Sequence, residues 1–137
     1  DDLVYRASDE NGPLDGCDDM LGIIAGSDIN IVWNEANSDN CVIHAAMMGL
    51  SNSFRAESWN VGDPRGTLTV WGSISQCYRG SVGSGYVDAD GNYIPLSGYS
   101  KDYHYDMRML EFLPPGFYNF MRTGTYKRLS WREVPVT

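Results

Sequence analysis

Lysine is almost missing from this chain: Lys101 and Lys127 are the only two in 137 residues. Gly (15) and Tyr (9) are plentiful by comparison. A helical bundle draws on Ala, Leu, Glu and Lys, so this bias disfavours one and suits turn-rich β structure. No apolar run approaches the roughly 18 residues of a membrane span, so direct membrane insertion by this chain is not expected. No signal peptide is present, and the reading is that any export signal has been removed or lies on a part outside the sequence. The first residues, Asp1-Asp2-Leu3-Val4-Tyr5, already read as a strand, which suits a fragment or a processed product. Cysteine is scarce as well, and no CxxC, CxxCH or zinc-like spacing occurs. Haem attachment, thioredoxin chemistry and a structural zinc site are therefore not expected, and neither is any cofactor or metal.

What remains is an ordinary globular composition, 42% hydrophobic and 20% charged, with enough chain for one domain but not comfortably two. The net charge of −8 is unevenly spread: −9 over residues 1–41, −1 over 42–98 and +2 over 99–137. Such a chain repels a phosphate backbone, so nucleic acid is not an expected partner. The acidic segment reads first as a solvated surface, with a cation site or a docking face for the basic end of a neighbouring copy as the sharper alternatives. The three cysteines suit one disulfide and one leftover thiol. Cys17 and Cys41 both sit in polar turn contexts and are the favoured pair, while Cys77 follows a strand.

The clearest strand is Gly66–Gln76. Leu68, Val70, Gly72 and Ile74 fall on one face, and Thr67, Thr69, Trp71, Ser73 and Ser75 on the other. Ile29, Ile31 and Trp33 repeat the pattern, and residues 21–25 form a short apolar run. Residues 41–50 combine Ala and Met with a short run that ends in Gly49 and Ser51-Asn52-Ser53; they read as a buried strand. Apolar segments begin near residues 21, 42 and 68, a spacing of 21 to 26 residues. That is the rung length of a solenoid, whose coils bury their apolar faces only by stacking. Small residues (Ala25, Ala45, Ala46, Gly72) would let rungs pack in a narrow interior. Residues 86–94 read as a hairpin around Asp90-Gly91, residues 113–117 break regular structure, and 125–136 read as a last strand. Phe112, Phe117, Tyr118, Phe120, Tyr126 and Trp131 look like a plug over one end of the core. The expectation is a single mainly β domain over 1–137, with parallel solenoid-like rungs over 1–80 and a hairpin and cap over 81–137. A β-sandwich is the rival architecture.

Several segments also carry a family likeness: Met20–Ala25, Val42–Met48, Gly66–Gln76 with Tyr78-Arg79-Gly80, Gly98–Asp106, Gly124-Thr125-Tyr126 and Ser130–Glu133. Together they resemble the C-terminal β-helical region of large bacterial proteins that begin with a prepilin-like or minor-pilin-like hydrophobic helix. The similarity runs from about residue 18 onward. It implies export, an extracellular or pilus-associated location, a right-handed β-solenoid, and partners among other pilus or surface subunits, self-association included. It carries over no catalytic residues. The prepilin-type helix itself is absent here, and Cys77 stands where the family more often has a polar or basic residue.

The constellations that would signal an enzyme fail one by one. Glycoside cleavage needs two carboxylates across a cleft. Asp1-Asp2 and Asp18-Asp19 are neighbours that face opposite ways on a strand. The Asp-Asp, Gly-His-Gly and Arg-Ile-Lys set of polygalacturonase-like sites is missing. His44 sits in an apolar run and His104 between two tyrosines, each without a nucleophile partner, so both read as structural. Asp88-Ala89-Asp90-Gly91-Asn92 has its glycine too early for an EF-hand and lacks the distant Glu. Asp15, Asp18, Asp19 and Asp28 would form a cation site only if the fold gathered them. Flat rings at Trp59, Trp71, Tyr99, Tyr103 and Tyr105 permit sugar stacking, although outward aromatics on strands also pack beneath loops. The expected function is a non-catalytic extracellular structural or interaction module. A carbohydrate-binding module and a polysaccharide-active enzyme on a β-helix are the alternatives.

Overall fold

A computed structural model describes residues 2–9, 11–34 and 39–117. The last strand expected at 125–136 and the plug aromatics Tyr118, Phe120, Tyr126 and Trp131 lie outside them. The described chain is mainly β: β1 (Ser8–Asp9), β2 (Gly12–Pro13), β3 (Gly22–Ala25), β4 (Ile29–Ile31), β5 (Cys41–Gly49), β6 (Phe54–Ala56), β7 (Pro64–Gln76), β8 (Gly83–Val87) and β9 (Tyr93–Tyr105), then a 3₁₀ turn at Met107–Leu110. The main sheet has the order β3-β5-β7-β9-β8. Its first four strands are mutually parallel and β8 is antiparallel. A second sheet consists of β4 and β6, also parallel, and β1 and β2 form a short hairpin.

Parallel pairing in register makes columns across the main sheet. Ile23, Met47 and Ile74 share one column, and Leu3, Ile43 and Val70 another. Alternation then sends one face of each strand into the core between the two sheets. Leu68 (0% exposed), Val70, Ala45 and Met47 fill that core with Phe54 and Ala56 from β6, and full burial of each large aliphatic chain contributes about 1.5–3 kcal/mol. The strands come close enough that a Cβ on Gly72 would run into the Ala45 carbonyl. Only glycine fits there.

The corners are stitched by polar groups from one crossing to the next. Asp28 accepts from the Ser53 N–H and the Asn52 amide, Asn40 Oδ1 accepts from Thr67 N–H, and Gln76 Oε1 accepts from Phe54 N–H. Successive crossings advance by 24 residues (Ile23 to Met47), 27 (Cys41 to Leu68) and 33 (Leu68 to Lys101). The last step is longer because the β8–β9 hairpin is inserted in it. The two-sided parallel sheet contrasts with the antiparallel sheets of a β-sandwich. The described residues do not show a closed solenoid, since the second sheet among them holds only β4 and β6.

The outer face of the main sheet is covered in part, with Ile24, Ser75 and Asp102 left exposed. The N-terminal excursion lays Tyr5 against His44 and Gly12 against the Trp71 ring, and Phe117 packs on Gly22. This cover separates the two cysteines expected to pair. Cys41 lies in the inward core with Ile31, Leu68 and Val70, whereas Cys17 sits in the outer layer, its carbonyl accepting from Arg108. All three cysteines are free thiols, with Cys17 and Cys41 buried and Cys77 exposed. The Cys17–Cys41 disulfide is therefore not formed.

Candidate functional site

β7 ends at Gln76, a turn carries Arg79 and Gly80, and the β8–β9 hairpin lays β9 back along β7. The register pairs Leu68 with Lys101 and Val70 with Tyr103. Lys101 and Tyr103 therefore extend the columns that hold Cys41 and Leu68, and Ile43 and Val70, within the core. No strand of the second sheet covers them among the described residues. They line instead a groove of about 450 Å³ with Phe54, Ile74, Gln76, Arg79 and Gly80. Gln76 fixes its wall, its Oε1 accepting from the backbone N–H of both Phe54 and Gly80.

The groove is electropositive in a chain of net charge −8. Partial burial holds the Lys101 ammonium below the usual lysine range, and the neighbouring Arg79 charge lowers it further. Burial pushes the Tyr103 phenol up to about 12, against the pull of Arg79. Among the described residues the ion pairs of arginine with carboxylates are Asp28–Arg55 and Asp106–Arg108, and Asp102 lies 2.9 Å from His104, so no carboxylate of these residues pairs with either cation of the groove.

The aromatics expected to stack on a sugar are dispersed by the fold. Tyr99 is 2% exposed and belongs to the core. Trp71 lies under Gly12 and stacks on His104, ring centroids 4.1 Å apart. Trp59 lines a separate hollow of about 330 Å³ with Asn30, Arg55, Glu57 and Asn60. Tyr105 is exposed beyond the groove, and Tyr103, 42% exposed, is the one expected aromatic that lines it. Arg79 and Lys101 were not expected there. Their signal was one of only two lysines at an inward position of a strand, and it becomes readable once the register is known.

A second cluster is enclosed. Tyr5 N–H donates to His44 Nδ1, so the neutral ring carries its proton on Nε2, which is buried without an acceptor among the described residues. Burial lowers the His44 pKa, with Asp106 acting in the opposite direction, and burial raises that of Tyr5. Asp106 is saturated by Arg108, whose Nε and NH2 donate at 3.0 and 2.6 Å, and Arg108 also reaches the Cys17 and Asp19 carbonyls. This arrangement clamps the 3₁₀ turn to the N-terminal excursion. An adjoining hollow of about 320 Å³ reaches Cys17 and Arg108 but is not lined by His44, Tyr5 or Asp106.

Of the acids considered as a cation site, Asp19 accepts from Arg6 N–H, while Asp28 binds Ser53, Asn52 and Arg55. No group of three metal-ligating side chains converges among the described residues. Asp88 accepts from the N–H groups of Asp90 and Asn92, closing the hairpin turn itself. Compared with known proteins, the chain matches no family model, no curated protein and no solved structure.

Proposed function

We propose that this chain is a non-catalytic interaction module displayed outside the cell, built of stacked parallel β coils in the manner of a right-handed β-solenoid. The observation that carries the reading is the set of in-register apolar columns, Ile23–Met47–Ile74 and Leu3–Ile43–Val70, joined by polar corner bonds between successive crossings. Coils of this kind bury apolar surface only against their neighbours, which suits an extended display surface. The residue-level resemblance to the β-helical regions of prepilin-like surface proteins agrees with it, and adds other pilus or surface subunits as partners. Asp19, Asp28, Asp88 and Asp106 are engaged in backbone bonds, a corner, a turn and an ion pair, which supports a structural role for these four carboxylates. A carbohydrate-binding reading is favoured by grooves that set a Trp or Tyr ring beside polar groups, at Trp59 and at Tyr103.

The test is location. An antibody to the folded domain should label intact cells that make the protein, and brief protease treatment of those cells should remove the signal. Labelling that appears only after lysis contradicts the proposal.

A further inference from the structure

The fourth main-sheet crossing departs from the chemistry of the others. At the positions where β5 and β7 place Cys41 and Leu68, β9 places Lys101; where they place Ile43 and Val70, it places Tyr103. A polar terminal crossing is ordinary for a stacked fold, because its outer face meets water. Simple solvation, however, gives no reason to set two cations beside each other in a concave site. Arg79 and Lys101 both line the groove, and each raises the cost of the other's charge. Among the described residues no carboxylate lines it. An anion entering between them removes that repulsion and gains charge-assisted hydrogen bonds.

The remaining lining narrows the class of anion. The half-exposed ring of Tyr103 stands beside the apolar side chains of Ile74 and Phe54. A flat ring beside a carboxylate-sized cationic site matches a sugar that has an apolar C–H face and an acidic substituent. An acidic peptide would more naturally extend a strand edge by backbone pairing. The groove instead opens on the inward face of β9, perpendicular to that edge. We propose that the Arg79–Lys101–Tyr103 groove binds an acidic saccharide of the uronate class, with the carboxylate between the two cations and the sugar ring on Tyr103. The inference deepens the interaction-module reading by naming its ligand chemistry.

Titration of the full 137-residue chain with trigalacturonate at low ionic strength, followed by calorimetry and NMR shifts, tests it. The chain should bind trigalacturonate at least about tenfold more tightly than its methyl ester, which keeps the sugar and removes the charge. Arg79→Gln and Lys101→Gln, both at exposed positions, should each weaken binding about tenfold with the thermal midpoint unchanged. Tyr103→Ala should weaken it similarly, and Tyr103→Phe should retain it. The proposal is overturned by an absence of binding at about 10 mM, by equal affinity for the ester, or by affinity unchanged in the charge variants. Tighter binding of a pentaglutamate peptide would assign the groove to an acidic peptide and overturn it equally. A chain that labels intact cells but ignores uronate loses this inference alone, whereas a uronate-binding chain confined inside the cell loses the display reading alone.

Discussion

Two buried side chains meet the cost of burying a charge in opposite ways. Arg65 is 4% exposed, yet its guanidinium donates to the Glu57 and Ser58 carbonyls and lies over the rings of Trp33 and Tyr99. The charge is thus solvated by carbonyl dipoles and π faces. His44 takes the other course and stays neutral, surrounded by Tyr5, Asp106, Arg108 and Asp2. Its folded pKa lies below the ordinary value near 6.5. As pH falls through about 6.5 the unfolded histidine takes up a proton that the folded ring refuses, so the unfolded state gains and stability drops. The urea midpoint should therefore decline between about pH 7 and pH 5.5, and should decline less in His44→Gln, which cannot ionise. Equal slopes for the two proteins would show that His44 is not the group responsible. The sequence offered His44 as a structural residue in an apolar run. It offered no sign of the N-terminal cover that encloses it, because Tyr5 and His44 meet across 39 positions.

Among the elements, β7 is the strand most legible from sequence and β9 the least. Strict alternation of Leu68, Val70, Gly72 and Ile74 with polar or outward residues is a period-two pattern in itself. The buried strand at residues 41–50 was also readable, from its apolar run and turn residues, and the structure forms it as β5. In β9, Pro95 interrupts the run and Lys101 and Tyr103 take the inward positions, so no apolar face announces thirteen residues of strand. Only its first part was legible, as half of the hairpin around Asp90-Gly91. The cysteine pairing failed for a related reason, since spacing and turn context do not reveal on which side of the main sheet each thiol lies. The packing of β5 on β7 makes its own prediction. Gly72→Ala should destabilise the fold by about 3 kcal/mol through overpacking against the Ala45 carbonyl. Gly62→Ala sits at a positive-φ turn with open space around it, and should cost only about 1 kcal/mol. Urea unfolding of both variants checks the difference, and equal losses would mean that the strands do not approach so closely.

At the scale of the whole molecule, the interior, the groove and the partly covered outer face all depend on one register. Sliding β9 by a single residue would move Lys101 and Tyr103 to the outer face and abolish the groove, because side chains alternate along a strand. The same slip between β5 and β7 would expose the Ile43–Val70 column and bury polar groups from the other face. NMR contacts between side chains test this directly. Nuclear Overhauser effects should link Ile43 to Val70 and Val70 to Tyr103, and separately Met47 to Ile23 and Ile74. Contacts displaced by one position, or pairing of these strands in antiparallel order, would contradict the parallel architecture on which the proposed interaction module rests.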